Sequence, residues 1–451
     1  MVHPNLYLIA GWTILGSTID GIPAFANLKC HRTQIENNND NVYNIVEQYC
    51  KREFVDNNSE DKADSVEDKK WRKQIEQTLI RTETGRFQVG LPFKQENLVL
   101  PDNRKQALSR LFSLKNKFIK DEKYFAEYKG FIDEMIINNY TSKVEINEHN
   151  NNNKWYLVHF GVRHAQKQKL RVVFDASLKY ENVSLNQNLL IGPDYISSLV
   201  GILLRFREHQ FAFITDIKKM FYQIEVIPEH RNYLRFFWFT DGDVNKVPEE
   251  YKVNVHIFGS VSSPSIANYV LKETTKIKQV ENYNNHAKHT IQRNFYIDDC
   301  LKSVPTEQEA IELYNEIKEI LKINKFELHG LISNSKKLIQ SVDTEDLSEN
   351  LKQIDLDVEK LPTEKVLGLS WNAEQDTISA RLIIANDNPT KRGILSNIFS
   401  IYDPLGFLSP IIIPSKLLFQ NLSSIKLSWD EKIPMNLYKS YQKSGLMTFN
   451  R

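Results

Sequence analysis

A chain of 451 residues with 41% hydrophobic content has the length of about three domains and enough apolar side chains to bury real cores, which excludes a disordered protein. Its 58 Lys and Arg nearly balance 57 Asp and Glu, so no global basic field steers nucleic acid, and any such site must come from local clustering. Cys30, Cys50 and Cys300 form no CxxC pair or disulfide framework, and the apolar run 6–15 is too short to span a membrane and lacks the preceding Lys or Arg of a signal peptide. The expectation is a soluble, cytoplasmic protein with no membrane partner.

Residues 8–16 predict a small strand-and-turn segment. The polar stretch 30–70, with an Asn/Asp run at 37–41 and an acidic patch at 56–68, reads as linker or exposed helix surface. A helical region covers roughly 103–139, and a second Asn tract, 150–153, precedes the strand-like 154–160. From 167 onward short strands and helices follow closely. Residues 169–177 form a β-branched strand that opens with the cations Lys169 and Arg171. Residues 195–208 are amphipathic, with Leu199, Ile202, Leu203 and Phe206 on one helical face. An apolar strand over 211–217 carries Asp216 near its end, strands are expected at 236–240 and 253–258, and a helix at 263–275.

Residues 294–301, Asn-Phe-Tyr-Ile-Asp-Asp-Cys-Leu, predict a tight β-hairpin with Asp298 and Asp299 in its turn. Thr306 and Glu309 then make a capping box ahead of an apolar stripe through Ile311, Leu313, Ile317, Ile320 and Leu321. The mixture implies an α+β fold, a sheet with packed helices.

Adjacent carboxylates repel, so a protein that keeps both ionised usually holds a cation between them; a solvated acidic turn is the alternative. Asp216 at a strand end is a good place for a metal ligand, although taken alone an Asp there is more often a helix N-cap. Together the three carboxylates match what two Mg²⁺ ions require for in-line phosphoryl transfer. The basic cluster Arg163, Lys167, Lys169 and Arg171 suits either a triphosphate clamp or a charged strand edge.

Tyr-Ile-Asp-Asp (296–299), preceded by Asp-Ile-Lys-Lys-Met-Phe (216–221), resembles the palm of reverse transcriptases. The likeness sharpens to the BEL/Pao class of LTR retrotransposon polyproteins through ordered motifs at 84–94, 169–177, 184–193, 201–207, 258–264, 367–371 and 401–410. It implies a right-hand polymerase fold with fingers, a ferredoxin-like palm and a thumb or connection region. Asp216, Asp298 and Asp299 would be catalytic, binding two Mg²⁺ (or Mn²⁺) ions with the help of Ile217. Lys169, Arg171, Phe221 and Phe258 would contact the dNTP, Phe221 as steric gate against a 2′-OH. Tyr296 would lie near the primer end, with Gly259 and Ser260 along the template. Gly330 and Leu331 depart from the usual pattern, so the proton-donating Lys is absent or replaced by His329.

The resemblance further implies a protease remnant at 1–28, a polar linker or helical region at 29–83, an extension and fingers at 84–210, a palm at 211–340 and a truncated thumb or connection at 341–451. Neither Asp-Thr-Gly nor Asp-Ser-Gly occurs, and no RNase H or integrase carboxylate set is evident, which reads as a polyprotein fragment. The expected function is RNA-directed DNA polymerase acting on a primed RNA or DNA template with dNTPs, in the cytoplasm or in particles the element encodes. The alternative is a decayed or domesticated nucleic-acid-binding fragment without polymerase activity.

Overall fold

The computed structural model describes residues 64–145 (except Asn97), 153–163, 170–379 (except Asp357) and 389–443, with the backbone of three short strands, Tyr7–Leu8, Trp12–Ile14 and Cys30–Arg32. The rest of 1–28, including most of the expected protease remnant, lies outside the described residues, as do Lys167 and Lys169.

Helix α1 (Val66–Thr78) begins where Ser65 and Asp68 cap each other's backbone N–H. Helices α2 (Arg104–Lys120) and α3 (Glu122–Ile137) meet at Asp121, whose carboxylate accepts from Tyr124 N at 2.8 Å. Then come β1 (Thr141–Lys143), β2 (Val158–Arg163), β3 (Leu170–Asp175), α4 (Leu199–Phe206), β4 (Phe211–Ile217), β5 (Arg235–Phe239) and β6 (Pro248–Val253). Next are α5 (Ser263–Glu273), α6 (Asn285–Arg293), β7 (Phe295–Tyr296), β8 (Asp299–Val304), α7 (Glu307–Ile323) and β9 (Leu328–Ser333). The hairpin strands β10 (Thr363–Val366) and β11 (Leu369–Asn372), the short β12 (Thr377–Ser379), and helices α8 (Lys391–Phe399), α9 (Ser409–Ser424) and α10 (Met435–Lys443) complete the described chain.

Three apolar cores organise these elements. The first surrounds the antiparallel sheet β7-β8-β4-β9. Helix α7 buries Leu313, Tyr314, Ile317 and Ile320 in the same core as Phe213, Leu301 and Ile332 of that sheet. The predicted stripe falls on the buried side because its spacing follows the helical period. The second core is aromatic and joins α2 and α3 to β2–β3 and to the sheet β5-β6-β1. Within it Trp238 stacks on Tyr128, while Tyr128 Oη and His159 Nδ1 lie 2.6 Å apart. There Arg235, fully buried, donates to Glu250 at 3.0 Å and to Asn232, and Tyr156 Oη donates to the same carboxylate at 2.9 Å. The third, smaller core gathers Ile394, Leu408, Ile412, Leu422 and Tyr441 of α8–α10 and their loops. No helix among the described residues is long and apolar enough to cross a membrane.

Two expectations need correction. The helix sought in 195–208 is confined to Leu199–Phe206, because Ser198 caps it by accepting from Gly201 N at 3.3 Å. The strand expected at 253–258 runs instead from Pro248 to Val253. Residues 254–257 form a buried connection, with His256 N donating to Ile224 O at 3.0 Å and Val226 N to Asn254 O at 2.8 Å. Val255 and Ile257 are buried in the second core, so an apolar run imitates a strand without one.

Candidate metal centre

The acidic pair sits on a two-residue hairpin. Phe295 pairs with Cys300 and Tyr296 with Asp299, so the loop is Ile297 and Asp298 rather than the expected Asp298 and Asp299, because Asp299 already pairs as the first residue of β8. Ile297 has φ +59°, a position hairpins usually give to Gly. A β-branched residue held there stores strain on the order of 1–3 kcal/mol, which persists only where its surroundings over-determine it. Asn294 supplies part of that constraint: its side chain donates to Leu301 O at 2.8 Å, and its carbonyl accepts from Leu301 N at 3.0 Å.

The register of β8 on β4 sets Asp299 opposite Asp216, and Ile217 N donates to Asp298 O at 3.0 Å. One carboxylate oxygen from each of Asp216, Asp298 and Asp299 thus lies within 4.8 Å of the others. Burial, then the charges of Asp298 and Asp299, push the Asp216 carboxyl up to about 7. Burial followed by Asp298 pushes Asp299 to about 6. Asp298 is also raised by burial, against opposing pulls from its own backbone N–H, His329 and Arg171. Asp216 Oδ1 is buried with no hydrogen-bond partner among the described residues, and Oδ2 lies 3.5 Å from His329 Nε2. Three hard oxygen donors, an unsatisfied buried oxygen and mutual repulsion are what a divalent cation would resolve. The residues present fit such a metal. Among the described residues this is the one group of three or more acidic, His or Cys side chains close enough to share an ion.

The other expected site residues fall as follows. Arg171 is exposed on β3, paired with Val162, and its charge reaches Asp298. Arg163 does not join it: its guanidinium is held by Glu127 of α3 at 3.1 Å. Phe221 lies in the tight turn Met220–Gln223 and is 5% exposed. The ring of Phe258, 51% exposed, meets it edge-on with centroids 4.3 Å apart. Tyr296 is half-buried against the first core. The strand β9 bulges between His329 and Ile332, while His329 O accepts from Thr215 Oγ1 at 3.0 Å.

Gly259 and Ser260 have packing partners of their own. Gly259 has φ +102°, and a Cβ there would overlap the Phe174 carbonyl oxygen of β3. Ser260 is buried, its hydroxyl 3.2 Å from that of Ser262. Asn186 pins the same turn, donating to Gly259 O at 2.8 Å and accepting from Val261 N at 3.0 Å. Nothing local in 184–193 marks Asn186 for this role, because its partners are distant in sequence. Gly259→Ala is expected to destabilise the chain by at least about 1–3 kcal/mol, from the positive φ alone. An unchanged urea midpoint would refute that.

Residues 141–342 match the family of reverse transcriptases (RNA-dependent DNA polymerases), and 390–447 match the Pao retrotransposon-like RNaseH-like domain. No curated protein matches the chain. Among solved structures, a foamy viral protease-reverse transcriptase in complex with an RNA/DNA hybrid is similar over 92% of this chain, at 13% identity and a TM-score of 0.45. The chain spans 44% of that protein. The RNaseH-like match falls within the stretch expected as thumb or connection. Its described carboxylates are committed singly: Asp403 accepts from Leu408 N, Asp430 holds Arg392, and Glu431 accepts from Ser428 N. The carboxylate triad thus lies inside the segment similar to reverse transcriptases, and the segment similar to the Pao retrotransposon-like RNaseH-like domain follows it.

Proposed function

We propose that this chain is an RNA-directed DNA polymerase that extends a primer on an RNA or DNA template with dNTPs. The observation that carries it is the clustering of Asp216, Asp298 and Asp299 around an unsatisfied buried carboxylate oxygen. These three would hold two Mg²⁺ ions, or Mn²⁺, with the Ile217 carbonyl as a further donor. When bound, such ions acidify an attacking hydroxyl and neutralise a leaving pyrophosphate. The primer 3′-oxygen bonds to the α-phosphorus as the α–β phosphoanhydride bond breaks, and the chain's part is positioning and charge.

Arg171, with Lys169, would grip the triphosphate, the guanidinium fork matching phosphate oxygens better than a point charge. Phe221 would lie beneath the sugar, and Phe258, braced edge-on against it, keeps the ring from swinging away. Gly259 and Ser260 would keep the neighbouring backbone close to the template, and Tyr296 would flank the primer end. His329, 3.5 Å from Asp216, would be the candidate proton donor to pyrophosphate. The site of action would be the cytoplasm or particles encoded by the element, and the domain limits at 28, 83, 210 and 340 are part of the same proposal.

Purified chain should extend a DNA primer on an RNA template with dNTPs and Mg²⁺ or Mn²⁺. No extension under either metal, with primer–template binding retained, would favour a nucleic-acid-binding fragment. Phe221→Val is expected to cut discrimination against ribonucleotides roughly 10- to 200-fold, the range one or two methylenes of pocket shape confer. Single-nucleotide incorporation kinetics with dNTP and rNTP measure this, and unchanged selectivity would remove Phe221 from the gate.

A further inference from the structure

The turn 258–261 carries the exposed ring of the proposed nucleotide pocket, and that ring has no polar group to fix it. Phe258 touches Phe221 edge-on and lies 6.3 Å from Tyr222, centroid to centroid. Its backbone therefore decides where it sits. On one side Gly259 is jammed against the Phe174 carbonyl of β3. On the other, two hydrogen bonds reach the turn from outside, and both come from one side-chain amide. Asn186 Nδ2 donates to Gly259 O at 2.8 Å, and Asn186 Oδ1 accepts from Val261 N at 3.0 Å.

That amide is itself held. Its second N–H donates to Ser177 Oγ at 2.7 Å, and the Asn186 backbone N donates to Ala176 O at 3.0 Å, both just past the end of β3. Asp175 fixes that corner by accepting from Ser177 N at 2.9 Å and from Leu178 N at 3.0 Å. Leu185 and Leu189, fully buried in the second core, clamp the chain on either side of Asn186. Val261 N can only donate and Gly259 O can only accept, so one orientation of the amide serves both. A carboxylate of the same shape would keep the bond to Val261 and lose the one to Gly259.

We infer that Asn186 is a positioning residue of the nucleotide pocket, setting how strictly a ribonucleotide is refused. By fastening 258–261 to the end of β3 it keeps the Phe258 ring seated on Phe221, and it acts through that ring alone. Excluding one hydroxyl is a matter of clearance, and a shift of about 1 Å caused from outside the chemistry can cost about 10²-fold. Gly259 is exposed, so water can take over the lost bonds, and removing the amide loosens the turn without unfolding the chain. This inference rests on the polymerase reading for the choice of ligand.

The test measures binding of a dNTP and of the matching rNTP, with Mg²⁺, to the full chain on a primed RNA template. The DNA primer ends in a dideoxynucleotide, so no bond can form, and primer extension is run beside it. Asn186→Ala and Asn186→Asp are expected to lower the preference for dNTP roughly 10- to 100-fold, the scale of a misplacement of about 1 Å, with primer–template Kd unchanged. Asp keeps the volume of Asn, so it decides the matter if the Ala variant fails to fold. Gln106→Ala, which removes a bond of the same kind from α2 to Lys179 O, should keep the parental preference. Parental preference in Asn186→Asp, equal weakening of dNTP and rNTP in it, or equal loss in Gln106→Ala overturns the inference. A parent that binds neither nucleotide removes this inference and the polymerase reading together. Asn186-dependent preference in a chain that does not extend primers sinks the polymerase reading alone and leaves the inference standing.

Discussion

Asp298→Asn is expected to abolish primer extension, by on the order of 10³-fold or more, while making the metal-free chain more stable near pH 8. The first effect follows because loss of a single preorganised donor already costs about 10²- to 10³-fold, and Asp298 brings a full charge. The second follows from linkage. Asp216 and Asp299 hold their protons up to about 7 and about 6 in the folded chain, against an ordinary carboxyl value of 3.8. Between those limits the folded state binds more protons than the unfolded one, so stability falls as pH rises and the full penalty is present above about 7. Burial, the larger cause at both groups, survives the substitution, but the repulsion from Asp298 does not.

Melting curves without metal should therefore fall less steeply from pH 5 to pH 8 in the variant. Added Mg²⁺ should raise the parental melting temperature more at pH 8 than at pH 6, because ligands must be deprotonated to bind. The variant should respond weakly at both. Parental extension rates in Asp298→Asn would remove the metal site proposed here, and identical pH profiles would show that repulsion does not shape the triad.

Glu250→Ala should destabilise the aromatic core by about 3–5 kcal/mol, the usual cost of stranding a buried charge. Arg235 has no exposed side-chain surface, and the carboxylate also accepts from Tyr156 and from Arg104 at 3.2 Å. Removing it leaves a guanidinium that water cannot reach. Glu250→Gln keeps an acceptor for Tyr156 and should cost less. Replacing both partners, as Arg235→Met with Glu250→Leu, should recover most of the loss, since apolar pairs of similar volume often match a buried ion pair. Denaturant unfolding followed by tryptophan fluorescence reports on this core, because Trp238 and Trp155 lie in it. A Glu250→Ala midpoint equal to the parent would mean the charge is solvated by routes the fold does not reveal.

Local chemistry was legible in the sequence alone. The acidic pair between apolar runs in 294–301 specified a hairpin and the apolar run 211–217 a strand carrying Asp216, while the stripe through 311–321 specified a buried helix face because it repeats with the helical period. The identity of the three carboxylates came from the same short stretches. Their meeting did not: whether Asp216 stands opposite Asp299 or one residue off depends on register, and a single-residue slip would turn every side chain to the other face. Packing of α7 and the neighbouring strands decides that register.

The same limit explains the misplaced strand at 253–258, since a buried loop and a buried strand carry the same apolar residues. It also explains why Arg163, expected with Arg171, turned to Glu127. Arg207 and Asp376, 169 positions apart, and Tyr402 lying on Gly368 left no periodic trace at all. Sequence by itself determined which groups the site would use and the local structure around them. Only the tertiary structure decided which of those groups meet, because burial and register are set by contacts between segments that no local period connects.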